Sequence, residues 1–170
     1  MTGRTVDDPA ADCADPLARA LVSVAFATIS ERYVLARHQI AAALQDADGT
    51  IHIGLHLDAM VGRASVCAEA GALSAARLAT GADLVAVAAV RYPKPTEPPV
   101  ARIVPPCGLC RELLLDHAPN LRAVTPGRTP ALAPLAGLLP HKYVGTKWPA
   151  TPDHPYPARI TPGTGDIPWT

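Results

Sequence analysis

The sequence predicts an α/β fold, a mixed sheet of about five strands with helices on both faces, and three observations carry that expectation. First, residues 17 to 92 contain no proline, while 17 of the 19 prolines lie from Pro93 onward. Proline removes a backbone donor and breaks regular interiors, so the proline-free block holds most of the regular structure. Second, apolar residues along the chain switch between a helical period and short continuous runs. Third, the resulting order of helix, hairpin, helix, strand, helix, strand suits a mixed sheet covered on two sides.

Asp15-Pro16 opens the first helix, with aspartate to cap free amides and proline in the first turn. Leu17, Leu21, Val24, Ala25, Thr28 and Ile29 then give it one apolar face to about Ser30. Runs over 39–45 and 50–57, joined through Asp46-Ala-Asp-Gly49, form a β-hairpin. In its second strand Ile51, Ile53, Leu55 and Leu57 share one side, and His52, Gly54, His56 and Asp58 share the other or lie just past its end. Ser65 is the expected cap of a helix from Val66 to about Thr80, closed by Gly81. The apolar run Leu84 to Val90 suits a central strand covered on both faces. After a proline-rich loop from Pro93 to Pro99, residues 100–104 are a short strand or more loop. Pro105-Pro106 leads into a helix from Cys107 to about His117, and Leu121 to Val124 is a last short strand.

At 170 residues the chain is one domain with tails: a flexible N-terminus over 1–14, a folded region over 15–148 and a proline-rich C-terminal tail over 149–170. Hydrophobic residues at 49% and charged residues at 18% exclude a disordered chain. Fifteen basic residues balance fifteen acidic ones and aromatics are 4%, which argues against a nucleic-acid partner, since such binders carry a basic surplus and stacking rings. No uncharged apolar stretch reaches the roughly 20 residues of a membrane span. The first 15 residues are polar and acidic, the opposite of a secretory signal, so a cytoplasmic protein is expected.

That setting makes disulfides a poor reading of Cys13, Cys67, Cys107 and Cys110, and metal or redox use a better one. Cys67 stands at one helix start, and Cys107 with Cys110 at another. The spacing of that pair puts both thiols on one helical turn, suited to a single tetrahedral zinc. Helix N-termini present free amides and partial positive charge, which favours the thiolate a metal needs. Three protein ligands leave a fourth position for water, the pattern of catalytic zinc. Glu69, two residues after Cys67, can reach such a water without displacing a ligand. Cys13, in acidic and unpatterned surroundings, is expected to be a free or disordered thiol.

The segments Cys67-Ala68-Glu69 and Pro106-Cys107-Gly108-Leu109-Cys110-Arg111-Glu112-Leu113-Leu114 resemble the zinc-dependent cytidine deaminase superfamily in its small-nucleoside branch. Cysteine rather than histidine before the Ala-Glu, the preceding hairpin, Leu113 to Asp116, and Leu138-Leu139-Pro140 before Tyr143-Val144 look most like the blasticidin S deaminases. The resemblance spans roughly residues 15 to 148. It implies a three-layer αβα fold, one zinc per subunit held by Cys67, Cys107 and Cys110, a small-molecule substrate, and a homo-oligomer, tetramer or dimer. It also implies hydrolytic deamination of an amino-substituted heterocycle to the keto product and ammonia. Glu69 would carry protons from water to the ring nitrogen and the departing amine. The Pro105 carbonyl would bind that amine and the Ala68 amide would contact the substrate.

The sequence departs from the family around the substrate. Cytidine deaminases end the second hairpin strand in Asn-x-Glu to hold the ribose hydroxyl, where this chain has His56 and Asp58, and a family phenylalanine is matched by His38. Relatives with this ligand set often follow Cys-Ala-Glu with an arginine that bonds the thiolates; Ala70 stands here. Three thiolates on Zn²⁺ leave one net negative charge, and Arg111 and Arg63 are the candidates to offset it. His52 is expected to be a satisfied or exposed histidine. The substrate is therefore a cytidine-like or modified, antibiotic nucleoside, or alternatively a non-nucleoside aminated heterocycle. A different class of reading is a catalytically inactive zinc-stabilised binding protein. The tail either packs over its own or a neighbour's pocket, through Tyr156 and Trp169, or is disordered and exposed.

Overall fold

A computed structural model describes residues 5–147, together with the backbone of two short strands at Arg159–Ile160 and Ile167–Pro168 that pair antiparallel. Three helices, α1 (Pro16–Arg32), α2 (Ala68–Ala79) and α3 (Gly108–His117), surround a sheet built from β1 (Ile40–Asp46), β2 (Ile51–Leu55), β3 (Leu84–Arg91), β4 (Arg102–Ile103), β5 (Arg122–Thr125) and β6 (Ala131–Pro134). The strand order is β2-β1-β3-β5-β6. β1 lies antiparallel along one edge of β3, from Ile40 opposite Arg91 to Asp46 opposite Leu84. The other edge of β3 is divided: β5 runs parallel to it at Ala86 and Val87, and β4 antiparallel at Val90 and Arg91.

The alternation of side chains along β1 and β3 sorts the core into two layers. Ala41, Ala43, Ala86, Ala88 and Val90 face α1 and pack on Leu21, Val22, Ala25 and Ile29. Ala42, Leu44, Val87 and Ala89 face the opposite side and pack on Ala72, Leu73 and Ala76 of α2 and on Leu114 and Leu115 of α3. The architecture is the three-layer αβα sandwich with a mixed sheet that the sequence predicts. The small side chains of the two central strands let the helices lie close on either side.

The expected hairpin is present, with Gly49 at φ 87° closing its turn. Asp46 completes it: its Oδ1 accepts from the Asp48 and Thr50 amides, and its Oδ2 lies 2.8 Å from His52 Nε2. Both side chains are buried, so His52 is a satisfied structural histidine. These bonds, the His52 contact first, hold the Asp46 carboxyl below the usual carboxylate range.

Several expectations need correction. α2 begins at Ala68 rather than Val66, because Val66 exchanges two backbone hydrogen bonds with Leu57. Ser65 does not cap it; its hydroxyl instead donates to Asp58 Oδ1. The segment before α1, expected to be flexible, is folded from residue 5: Asp7 bridges to Val100, Pro9–Asp12 form a 3-10 turn, and Cys13 is a free thiol buried in the α1-side core. Burial is also the first reason the Cys13 thiol is pushed up. The strand β6 is an element that the sequence pattern does not predict. Tyr156 and Trp169 lie outside the described residues.

Candidate metal centre and active site

α2 and α3 point their N-termini at one place, and cysteine occupies the N-cap of both: Cys67 for α2 and Cys107 for α3, neither making a side-chain cap bond. Their first-turn amides are therefore left for whatever sits between the helices. Cys110, in the first turn of α3, completes the group. The Cys67 and Cys107 sulfurs are 3.9 Å apart, and all three lie within 4.8 Å of one another. Tetrahedral zinc with Zn–S bonds near 2.3 Å requires sulfurs about 3.8 Å apart. The three thiols fit such an ion, and the site grades from buried Cys110 through Cys67 to exposed Cys107. Burial raises the Cys67 and Cys110 thiols, and the neighbouring Cys107 and Glu69 add to the rise. A cation placed among them reverses that balance.

Glu69 stands in the first turn of α2 and is 5% exposed. Burial holds its carboxyl above the usual range, against the opposing pull of its own backbone amide, the Cys110 thiol and the charge of His56. A glutamate buried beside three thiols and charged to a different degree from a surface one is suited to taking and returning a proton.

The backbone of β2 presses directly on this turn. A Cβ on Gly54 would overlap the Ala68 carbonyl oxygen and the Ala72 nitrogen, so only glycine lets the strand and the helix start meet. A lone glycine inside an otherwise apolar strand is the sequence signal for such an approach. Ala68 itself is buried.

Of the remaining residues singled out from the sequence, His56 is near enough for its charge to bear on Glu69, and its Nδ1 is buried with no hydrogen-bond partner among the described residues. His38 precedes β1 rather than lying on it, and its Nδ1 donates to the His56 carbonyl at 3.0 Å. Asp58 is drawn away, its Oδ1 accepting from the Ala59 amide and the Ser65 hydroxyl. Pro105 is exposed in the turn that leads to Cys107, and Arg63 is exposed on the 3-10 turn Gly62–Ala64. Arg111 does not bond the thiols: its Nε donates to the Pro106 carbonyl and its Nη1 to the Leu138 carbonyl. Both bonds go to backbone carbonyls and tie the guanidinium to the turn before Cys107.

A three-layer sandwich with thiols and a buried carboxylate at two converging helix starts defines the zinc-dependent hydrolase class. The chain is 40% identical over 101 residues to the blasticidin-S deaminase of Bacillus cereus, covering 59% of this chain and 72% of that protein. The crystal structure of cytidine deaminase from Mycobacterium tuberculosis superposes with a TM-score of 0.61 at 26% identity, over 76% of this chain and 98% of that one. Cytidine deaminase from Bacillus anthracis shares the fold, with a TM-score of 0.61 at 23% identity over 75% of this chain and 89% of that one. No protein-family profile matches the sequence. The chain belongs to the cytidine deaminase superfamily and is a hydrolytic deaminase.

Proposed function

We propose that the protein hydrolyses the exocyclic amine from the ring of a cytosine-type nucleoside, cytidine-like or a modified nucleoside of the antibiotic kind, releasing ammonia and the keto product. The observation that carries this reading is the burial of Glu69 against the three-thiol cluster, where desolvation outweighs the bonds from its own backbone amide and the Cys110 thiol and holds the carboxyl above its usual range. Cys67, Cys107 and Cys110 would hold one zinc ion, which, when bound, supplies the Lewis acidity that makes water a nucleophile near neutral pH. Glu69 takes a proton from the attacking water and gives it to the ring nitrogen, then moves the proton of the new hydroxyl to the exocyclic amine, so the ring carbon gains a carbonyl oxygen as its bond to that amine breaks and ammonia leaves. The Pro105 carbonyl accepts from the departing amine, a role that proline retains because it lacks only the amide hydrogen. The Ala68 amide, at the start of α2, donates to the substrate, and the buried free Nδ1 of His56 supports a polar contact with its sugar or ring.

His38 acts behind His56, whose carbonyl it holds. Asp58 and Arg63 stand on the exposed loop over 58–65, where a bulkier substrate or a neighbouring subunit would meet them. That loop also exposes Met60 and Val61, at 96% and 66%, beside Leu57 and Val66. Such a patch supports the homo-oligomer, tetramer or dimer, that the family resemblance implies. Zero net charge supports a small-molecule rather than a nucleic-acid substrate. No helix among the described residues is long and apolar enough to cross a membrane, and our reading places the enzyme in the cytoplasm. Glu69→Gln tests the assignment: it should retain one zinc per chain and the fold while losing turnover, and an active Glu69→Gln enzyme would exclude the mechanism.

A further inference from the structure

The turn that carries Cys107 has an unusual deficit. Pro105 and Pro106 both lack an amide hydrogen, so these two residues offer carbonyls but no backbone donor with which to brace the turn. Arg111 supplies the missing donor. Its Nε reaches back to the Pro106 carbonyl at 2.7 Å, the peptide group that joins directly to Cys107. From the same planar guanidinium, Nη1 reaches the Leu138 carbonyl at 2.8 Å. Leu138 ends a 3-10 turn, Leu135–Leu138, which is itself fixed: the Leu135 amide donates to the Leu121 carbonyl just before β5, and Leu135 is fully buried. One rigid fork thus links the ligand turn to a part of the molecule anchored on the sheet.

We propose that Arg111 is a positioning residue for the metal centre: it sets the Pro106–Cys107 peptide plane, and with it the direction of the Cys107 thiol and of the Pro105 carbonyl. Cys107 is the most exposed of the three ligands and has no cap bond of its own, so the turn before it is the part of the site that most needs an external hold. The thiol half of the proposal rests on the metal site alone; only the Pro105 half rests on the deaminase reading.

The test uses the full chain loaded with cobalt(II), whose visible and thiolate charge-transfer absorption reports ligand geometry. Arg111→Gln should shift and broaden those bands and speed metal loss to a chelator about 10–100-fold, the range seen when residues behind metal ligands are removed. Arg111→Lys, with one point donor in place of a fork, should fall between it and the parent. In the zinc enzyme kcat should fall more than KM changes. Asp46→Asn, at the turn end of the hairpin away from Gly54, is the control for general destabilisation and should leave the cobalt spectrum unchanged. A folded Arg111→Gln protein with the parent's spectrum and chelator rate would overturn the proposal. Should the glutamine variant fail to fold, a parent-like spectrum and chelator rate in Arg111→Lys would overturn it equally. A zinc-loaded parent inactive on every nucleoside, with the cobalt results as expected, would instead count against the deaminase reading and leave the thiol role standing.

Discussion

Cysteine is a poor N-cap, yet it holds that position on both α2 and α3. The residues that normally fill it satisfy a first-turn amide with a side-chain oxygen, and losing one costs about 1 kcal/mol. Two helices that both forgo a cap, and aim the same deficit at each other, have been shaped for a ligand rather than for stability. The prediction is specific. Cys107→Ser introduces a better cap, so the metal-free protein should melt no lower than the parent, while zinc retention on dialysis against a chelator falls sharply. Unchanged zinc content would show that Cys107 is not a ligand. The thiols and Glu69 were legible in the sequence because their spacing along a helix is itself the chemistry. The partners of Arg111, Asp58 and Ser65 were not. Each bonds a group brought near only by folding, Leu138 in the first case and the 58–65 loop in the other two.

The β1–β2 hairpin is the element on which the first ligand turn rests. Gly54 carries that contact: any side chain there meets the backbone of α2 itself, which cannot move aside as a side chain can. Gly54→Ala should cost about 3 kcal/mol or more, the upper end of overpacking, read as a lowered urea midpoint. A midpoint equal to the parent's would mean that strand and helix do not meet as described. At the other end of the hairpin, Asp46 has its carboxyl lowered by His52 and by two amides. A carboxyl lowered on folding contributes stability that is present above its unfolded value and lost as pH falls through the folded one. Asp46→Asn should therefore be less stable than the parent at neutral pH, with the gap closing in acid; a gap that widened in acid would contradict the assignment. Most elements were legible from apolar runs and caps, and α1 from Asp15-Pro16 most clearly. β6 was hidden because Pro130 and Pro134 bracket it, yet an edge strand tolerates proline where a central one does not.

For the whole molecule, the division of prolines along the chain corresponds to a division of labour. The proline-free part builds α1, the hairpin, α2 and β3, while the proline-rich part supplies the second ligand turn and the segments that hold it. That second part is pinned to α3 by Lys142, which lies 3.1 Å from Glu112 and 2.6 Å from Asp116. The overall class was readable from sequence because two-sided burial leaves continuous apolar strands. The packing of residues before α1 was not, since Ala10 and Cys13 are buried without any period to announce it. The central claim is that three thiols and Glu69 make a zinc deaminase. The most direct measurement is ammonia release from a panel of cytosine nucleosides, including antibiotic ones, by protein of known zinc content, beside Glu69→Gln at equal zinc. The account predicts release from at least one of them, at one zinc per chain, and none from the variant; no release from any nucleoside by the fully zinc-loaded parent, or equal release by the variant, would contradict it.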